Sequence, residues 1–389
     1  MDPVRNPFAP GAGSPPPELA GREDILVDAD TALRRAMQNR PARSQILLGL
    51  RGTGKTVLLT EIARRAEEIG HVVSQIEAPE NRSLPELLYP RLQQALRKLS
   101  LIESAKAASI AGFRALRSFA GTFKISVGDF SVVVDPEPGV ADSGNLEYDL
   151  SEVFLRVGDA AQAASRAWTL LIDEVQYLSQ AELSALIVAM HNVNQRQKPI
   201  VFFGAGLPQL AALSGEAKSY AERLFNFPTL GPLDQIAAAS AIRRPIEDEG
   251  EEISNAAVAE IVLRTHGYPY FLQEWGYQTW NVAAKSPIGI ENVRQATIDA
   301  TRRLDQGFFR VRFDRLTPKE RDYAFAMASL GQGPYRSSAV AAALGEDIAA
   351  LGPRRAAIIR KGMIYSPAHG DIAFTVPMFD EFLHRTKAF

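Results

Sequence analysis

The sequence predicts an α/β fold with an open parallel sheet, followed by a helical region and a small terminal domain. Apolar runs with the length of buried strands occur at residues 44–48, 168–172 and 199–206. A glycine-rich loop follows the first run, and a pair of acids follows the second. Because open α/β sheets bind ligands at the carboxyl ends of their strands, both segments are candidates for a binding site.

The glycine-rich loop at residues 49–56 has the spacing G-x-x-x-x-G-K-[ST] and precedes an amphipathic helix that Gly70 ends. Its glycines allow positive φ angles, so that successive N–H groups can surround phosphate oxygens at the start of the helix. Lys55 is expected to neutralise the β- and γ-phosphates of ATP, and the Thr56 hydroxyl to bind Mg²⁺. The predicted nucleotide contacts are Gly49, Leu50, Arg51, Gly52, Thr53, Gly54, Lys55, Thr56 and Val57.

The acid pair is Asp173 and Glu174, directly after the second apolar run. We expect Asp173 to hold Mg²⁺ through water, and Glu174 to act as the general base that polarises the attacking water. Either motif alone also fits a plain structural turn. Together, and in this order, they predict an ATP site in which Lys55 and Glu174 are catalytic.

Composition excludes several other kinds of site. The net charge is −2, and the absence of cysteine excludes disulfides, thiolate zinc sites and cysteine nucleophiles. The five histidines show no metal-ligand spacing. No apolar run approaches the roughly 18 residues of a membrane span, and the proline-rich start does not fit a signal peptide. We therefore expect a cytoplasmic protein with no membrane contact.

Shorter patterns predict the rest of the first half of the chain. The expected elements are a helix over 25–38, a strand over 71–77, helices within 84–118 and a last strand over 225–230. Two β-rich runs around Gly128-Asp129 predict a hairpin over 123–134, inside an insertion that stays acidic up to residue 152.

Two further patterns leave alternatives open. Arg223 precedes the last strand, so it could reach the γ-phosphate of a neighbouring subunit, or form a salt bridge with a nearby acid. Gly267-Tyr268-Pro269 opens a helix and could place Pro269 against adenine, or form an ordinary turn between helices.

The terminal stretch has the pattern of a winged helix, a relative of the helix-turn-helix. Helices are predicted over 317–330, 337–344 and 353–361, and strands over 363–367 and 372–377. Residues 302–361 contain twelve Lys and Arg but six Asp and Glu, an excess of +6 that contacts with phosphates would require. The candidate contacts to double-stranded DNA are Arg354, Arg355, Arg360 and Lys361, and the alternative is a protein-docking or autoinhibitory module.

These motifs together resemble an AAA+ ATPase of the archaeal-ATPase, origin-initiator and STAND neighbourhood. The likeness covers nearly the whole chain and includes an N-terminal motif at 17–23, the phosphate loop, the acid pair, the turn at 267–269 and the terminal domain. It implies a P-loop NTPase core with a five-stranded parallel sheet in 5-1-4-3-2 order, an all-helical lid and a C-terminal winged-helix domain. It also implies that Leu19, Gly21 and Pro269 lie near the adenine.

The resemblance divides the chain into an N-terminal arm (1–24), an NTPase core (25–232) with an insertion around 123–150, a lid (233–310) and the winged-helix domain (311–389). The leading hypothesis is an Mg-ATP-dependent ATPase that couples ATP to DNA binding or to assembly with further copies. The alternative is a slow STAND-like switch with a protein partner, since the sensor-1 position near Ala205-Gly206 is apolar and the second sensor's arginine is replaced in 267–270. A P-loop kinase is disfavoured, because no acceptor pocket is recognisable.

Overall fold

A computed structural model of the chain describes residues 1–11, 16–80, 82–125 and 135–387. The strands of its central sheet are β1 (Ser44–Gly49), β2 (Val72–Glu77), β3 (Trp168–Asp173), β4 (Ile200–Gly206), β5 (Phe225–Asn226) and β6 (Thr229–Leu230). They are parallel in the order β2-β3-β4-β1-β5, and β6 also pairs with β1. The predicted 5-1-4-3-2 order is therefore confirmed.

The expected last strand over 225–230 is instead two short strands. Phe227 and Pro228 separate β5 from β6, and proline has no N–H to donate to the neighbouring strand. The Pro228 carbonyl still accepts a hydrogen bond from the Leu48 N–H at 2.9 Å. The edge of the sheet thus remains attached to β1 across the interruption.

Helices cover both faces of the sheet, which explains why β1, β3 and β4 are buried along their whole length. One face packs against α1 (Glu23–Met37) and α2 (Lys55–Glu68). The other packs against α3 (Leu84–Ser100), α4 (Lys106–Thr122), α5 (Leu146–Ala163) and α6 (Gln180–Gln195). The short helices α7 (Leu210–Ala217) and α8 (Ala221–Leu224) lead to β5.

The helical stretch predicted within 84–118 is two helices, α3 and α4, joined by a 3-10 turn at Glu103–Ala105. The predicted hairpin falls largely on residues 126–134, which lie outside the described residues. Phe123 and Lys124 form a turn that ends α4. In the acidic stretch, Asp149 is fully buried and accepts hydrogen bonds from the N–H groups of Ser143 and Gly144 at 3.1 and 2.9 Å. This acid therefore holds the loop before α5.

The region after the sheet is helical, as predicted. It contains α9 (Gln235–Asp248), α10 (Asn255–Thr265), α11 (Pro269–Val282), α12 (Ile290–Arg303), a π-helical segment (Leu304–Phe309) and α13 (Arg310–Phe313). The N-terminal arm packs on α11. Its Phe8 is 2% exposed and fills the space beside Gly276, and the Trp280 indole N–H donates to the Asp2 carbonyl at 2.8 Å.

The last part of the chain combines helices with a small antiparallel sheet. Its elements are α14 (Pro318–Ser329), β7 (Tyr335–Arg336), α15 (Ser337–Leu344), α16 (Gly352–Arg360), β8 (Ile364–Tyr365), β9 (Asp371–Phe374) and α17 (Phe379–Lys387). The sheet order is β7-β9-β8. The three helices lie within one or two residues of their predicted positions, the two strands are shorter than predicted, and β7 and α17 were not anticipated.

The helical region and the last part of the chain share one hydrophobic core. Phe309, in the π-helical segment, packs against Phe271 of α11 on one side. On the other side it stacks on Phe382 of α17, with ring centroids 5.3 Å apart. Because one cluster of buried apolar residues spans both regions, they form one body. We call the first region, from α9 to α13, the lid and the second, from α14 to α17, the C-terminal domain. No helix in the described ranges has the length and apolar character of a membrane span.

Candidate functional site

A cavity of about 430 Å³ opens at the carboxyl edge of the sheet, where the core, the lid and the N-terminal arm meet. Cavities of this size suit small ligands. The core contributes residues 51–58 and Glu174; the arm contributes 9–11, 16, 18–20 and 22; the lid side contributes Leu233, Ala241, Pro269, Tyr270, Leu272, Gln273, Gly307, Phe308 and Arg312.

The phosphate loop has the backbone that its glycines predict. Gly52 and Gly54 have φ angles of +81° and +91°, and Gly54 immediately precedes α2. These positive φ angles shape the turn that leads into α2, and the N-terminus of a helix attracts anions. Gly49 has a packing role, since a Cβ there would lie 2.6 Å from the Leu230 carbonyl oxygen.

Lys55 is folded back on this loop. Its ammonium donates to the carbonyl oxygens of Gly49 and Leu50, at 2.9 Å each, and the residue is 7% exposed. Burial lowers the pKa of Lys55, while the nearby carboxylates of Glu174 and Asp173 oppose this shift. The hydrogen-bond acceptors of the Lys55 ammonium are thus two carbonyl oxygens of the phosphate loop, which are weaker acceptors than a carboxylate.

Thr56 and Asp173 are brought together from α2 and β3. The Thr56 hydroxyl donates to an Asp173 carboxylate oxygen at 2.5 Å, and the other oxygen accepts the Glu174 N–H at 2.8 Å. Burial raises the pKa of Asp173, and the Thr56 hydrogen bond opposes this rise. A hydroxyl beside a carboxylate is the kind of hard-oxygen pair that Mg²⁺ binds in company with water and phosphate oxygens. The donor set therefore fits the ion that the motif implies.

Glu174 lines the cavity in a left-handed backbone conformation, with φ +55°, that non-glycine residues rarely adopt. Its carboxylate is 3.6 Å from the Arg51 guanidinium and accepts a hydrogen bond from the Gln176 amide. The Gln176 oxygen accepts the Leu207 N–H at 3.2 Å, just past β4. A Cβ at Gly206 would lie 2.6 Å from that oxygen, so the glycine makes room for Gln176. Gln176 thus links the Glu174 carboxylate to the backbone at the end of β4.

The other predicted contacts divide into two groups. Leu19 and Pro269 line the cavity, and their contact with the base stays a prediction. Leu50 and Gly21 do not line it; Gly21 has φ +68°, and its Cα faces the Ala237 side chain of α9. Arg223 is exposed on α8, away from the cavity of its own chain. Its assignment to a neighbouring subunit's site stays a prediction.

Apart from Pro269, sequence reasoning missed the residues that come from the lid side. The Tyr270 N–H donates to the Gly52 carbonyl at 3.2 Å, and its ring stacks on Phe308 with centroids 4.7 Å apart. Arg312 lies over the Phe308 ring, with its guanidinium carbon 4.1 Å from the centroid. Burial, aided by the charge of Arg51, lowers the pKa of Arg312 to about 10, which leaves it charged at neutral pH. No motif identifies Arg312, because the residue reaches the loop only through the tertiary fold.

The C-terminal domain contacts the phosphate loop directly. The Arg51 N–H donates to the Thr375 carbonyl, just after β9, at 3.0 Å. A Cβ at Gly362, which has φ +63°, would lie 2.9 Å from the Arg51 guanidinium. The guanidinium also donates to the Tyr177 hydroxyl at 2.9 Å. Arg51 therefore contacts both Glu174 and the C-terminal domain.

The four cations predicted to contact DNA have different surroundings. Arg354 forms a two-pronged ion pair with Glu346, at 2.9 and 3.0 Å. Lys361 is paired with Glu320 at 2.6 Å. Arg355 donates to the Ser366 hydroxyl at 3.1 Å, whereas Arg360 is exposed at the end of α16. Two of these four charges are thus already matched by carboxylates within the domain.

Comparison with known proteins agrees with this geometry. Residues 18–203 match the family model described as AAA ATPase domain, and residues 306–383 match a domain of unknown function, DUF8462. The structure is similar to a Walker-type ATPase of Pyrococcus abyssi, at 18% identity and a TM-score of 0.55 over 94% of this chain and 96% of that chain. A search of curated proteins found no match.

Two more solved structures align over most of both chains at lower similarity. The Orc1 protein of Aeropyrum pernix in complex with DNA aligns at 14% identity and a TM-score of 0.48, covering 98% of this chain and 96% of that one. The Thermotoga maritima RuvB Holliday junction branch migration motor aligns at 16% identity and a TM-score of 0.45, covering 91% and 92%. The family match over residues 18–203 and the parallel sheet order agree on the fold: a P-loop α/β core of the AAA+ type, followed by helical regions.

Proposed function

We propose that the chain binds Mg-ATP and hydrolyses it, and that the bound nucleotide sets how the lid and C-terminal domain rest on the core. The observation that supports this best is the Thr56–Asp173 hydrogen bond of 2.5 Å beside the loop that carries Lys55. In P-loop enzymes that bind ATP, a hydroxyl and an acid in these positions hold the magnesium ion.

Each residue has a distinct task in the proposed reaction. Lys55 exchanges its carbonyl partners for the β- and γ-phosphate oxygens, which are stronger acceptors. Thr56 and Asp173 would hold Mg²⁺, which neutralises charge on the transferred phosphoryl group when it is bound. Glu174 accepts the proton of the water that attacks the γ-phosphorus, and Gln176 and Arg51 orient the Glu174 carboxylate. The apolar surfaces of Pro10, Leu19, Pro269 and Leu272 would enclose the base.

The contacts of Arg51 support the proposal of a switch. Arg51 belongs to the phosphate loop, is 3.6 Å from Glu174 and donates its N–H to Thr375 of the C-terminal domain. A second link between core and domain is the ion pair of Glu80 with Arg315, at 3.0 Å. Because the domain and the lid share one core, a nucleotide that moves the lid moves the domain with it.

A fluorescence experiment tests this proposal, and the absence of native cysteine makes the labelling specific. Cysteines are placed at Glu67 of α2 and Ser338 of α15, both exposed, and labelled with a donor and an acceptor dye. We expect energy transfer to differ between ADP and the non-hydrolysable analogue AMPPNP, and the same pair in a Lys55→Ala background to show no response. Equal transfer in both states, with both nucleotides bound, would contradict the switch.

Hydrolysis is tested separately by phosphate release from Mg-ATP. We expect turnover by the unmodified chain and none by Lys55→Ala. Turnover above roughly 1 s⁻¹, ordinary for enzymes, would favour a motor over a slow switch. A chain that binds Mg-ATP but releases no phosphate would contradict the ATPase part of the proposal.

Double-stranded DNA is the second candidate ligand, and the excess of positive charge in residues 302–361 is what favours it. Since Arg354 and Lys361 are paired with acids, we propose Arg360 as the principal contact of the four. A gel shift with duplex DNA at about 50 and about 200 mM salt measures this, because phosphate contacts weaken steeply with salt. Arg360→Ala should weaken the complex more than Arg354→Ala; no shift at the lower salt would exclude DNA.

A further inference from the structure

We infer that Arg312 binds the terminal phosphate of the nucleotide and makes the site prefer a nucleoside triphosphate to a diphosphate. In this role the arginine comes from the junction between lid and C-terminal domain, rather than from the start of the lid helix α11. The inference rests on the proposed nucleotide site and adds a residue that no sequence motif marks.

The position of Arg312 in the cavity fits this role. Arg312 lies on α13, directly after the π-helical segment, and lines the same cavity as Lys55 and Glu174. Segments of π-helix are rare and are frequent at functional sites, since the wider turn redirects side chains. Gly307 of that segment also lines the cavity, so that the backbone itself borders the space in front of the loop.

Stacked rings connect the Arg312 guanidinium to the phosphate loop. Arg312 lies over Phe308, Phe308 stacks on Tyr270, and the Tyr270 N–H is bonded to Gly52 of the loop. One Arg312 N–H donates to the Phe308 carbonyl. The cation–π contact and this hydrogen bond fix the side chain without using most of its five N–H donors.

The charged groups around Arg312 are mainly positive. Within the described ranges, Arg312 forms no ion pair, although it is half-buried. Its electrostatic neighbours include two cations, Arg51 and Arg315, and one carboxylate, Glu174, which is 3.6 Å from the Arg51 guanidinium. Lys55 lines the same cavity. Cations therefore outnumber acids around this half-buried arginine. Arg binds phosphate through two parallel N–H bonds. The triphosphate supplies an anion at this point, whereas the diphosphate lacks the last group.

The junction also gives the contact a consequence. Phe313, next to Arg312, packs on Phe325 of α14 and on Phe382 of α17. A phosphate that draws Arg312 toward the loop would therefore pull on the core of the C-terminal domain. Loss of that phosphate by hydrolysis releases the pull, which links this residue to the proposed switch.

The test compares affinities for AMPPNP and ADP, both with Mg²⁺, by isothermal titration. A charged hydrogen-bond pair is worth about 1.5–3 kcal/mol, so Arg312→Gln should lower the ratio of AMPPNP to ADP affinity about 10- to 100-fold. The matched control is Arg310→Gln, two residues away on the same turn, exposed and paired with Asp314 at 3.3 Å. The control should keep the ratio of the unmodified chain.

A ratio in Arg312→Gln that stays within about twofold of the unmodified chain would overturn the inference. If thermal melting shows that this variant does not fold, Arg312→Lys decides, because it keeps the charge and the apolar stem but loses the planar fork. Its ratio should fall at least about threefold, and an unchanged ratio would again overturn the inference. An unmodified chain that binds neither nucleotide would refute the proposed function itself, which is a different result from a preserved ratio.

Discussion

The hydrogen bonds of Gln176 lead to the most specific prediction. The Gln176 amide donates to Glu174, and its oxygen accepts the buried Leu207 N–H. Gln176→Ala removes both bonds and leaves the Glu174 carboxylate with Arg51 at 3.6 Å as its remaining polar partner in the described part of the chain. We predict slower hydrolysis with unchanged nucleotide affinity, because Gln176 does not line the cavity.

The size of the effect follows from the bonds that are lost. A hydrogen bond to a charged group contributes about 1.5–3 kcal/mol, and each 1.4 kcal/mol of barrier is about tenfold in rate. We therefore expect the single-turnover rate to fall about 10- to 100-fold. That is less than the loss of 10²- to 10⁴-fold that removal of a general base typically causes. Gly206→Ala should act in the same direction, since its Cβ would lie 2.6 Å from the Gln176 oxygen.

The assay is single-turnover hydrolysis of ATP by the unmodified chain, Gln176→Ala, Glu174→Gln and the double variant. If Gln176 acts by orienting Glu174, its replacement should have no further effect once Glu174 is glutamine. Nucleotide affinity, measured in parallel, should stay within about twofold. Two results would refute the reasoning: a full additional loss of rate in the double variant, or a loss of affinity in Gln176→Ala.

Three further predictions concern the remaining titratable and charged residues. Lys55→Ala should abolish ATP binding, whereas Glu174→Gln should bind ATP and retain it; rapid phosphate release by the second variant would contradict its assignment as the base. Arg223→Ala should reduce hydrolysis only if subunits share sites. A chain that is fully active as a monomer, identified by its mass in solution with ATP, would exclude a role for Arg223 at a neighbouring subunit's γ-phosphate. Burial lowers the pKa of His71 to about 4, below the ordinary 6.5. The unfolded chain binds the proton first, so the free energy of unfolding should fall by about 3 kcal/mol as pH drops from about 7 to below 4. In thermal unfolding measured over this pH range, His71→Asn should lose less stability than the unmodified chain as the pH falls.

The elements that surround the phosphate loop could be predicted from the sequence because their patterns are local. The spacing of residues 49–56, the apolar run before it and the helix after it need no distant contact. The order of the strands could not be obtained in this way. It came from the resemblance to AAA+ ATPases, which the family model and the sheet order support.

Local sequence patterns did not predict two irregular parts of the backbone. Pro228 divides the expected last strand, and the π-helical segment at Leu304–Phe309 has no sequence signature. The strand β7 and the helix α17 were missed because both are short and depend on tertiary packing. For α17 that packing is the contact of Phe382 with Phe309.

In the candidate site, sequence reasoning missed Gln176 and Arg312, because their contacts depend on the tertiary fold. Gln176 lies beside Glu174 because Gly206 leaves room for its side chain. Arg312 reaches the loop through Phe308 and Tyr270. The pairing of Arg354 and Lys361 with acids likewise depends on packing within the domain. The excess of +6 already counts Glu346 and Glu320, so the net charge could be obtained from the sequence, but not which cations these acids hold.

The most direct measurement of the central claim is a crystal structure with AMPPNP and Mg²⁺. The Lys55 ammonium now lies 2.9 Å from the carbonyl oxygens of Gly49 and Leu50. We predict that the Lys55 ammonium moves onto the β- and γ-phosphates. We also predict that the Thr56 hydroxyl and the phosphates bind Mg²⁺ directly and that Asp173 holds it through a water. A nucleotide bound elsewhere, or a Lys55 that keeps its carbonyl partners beside bound nucleotide, would contradict the account.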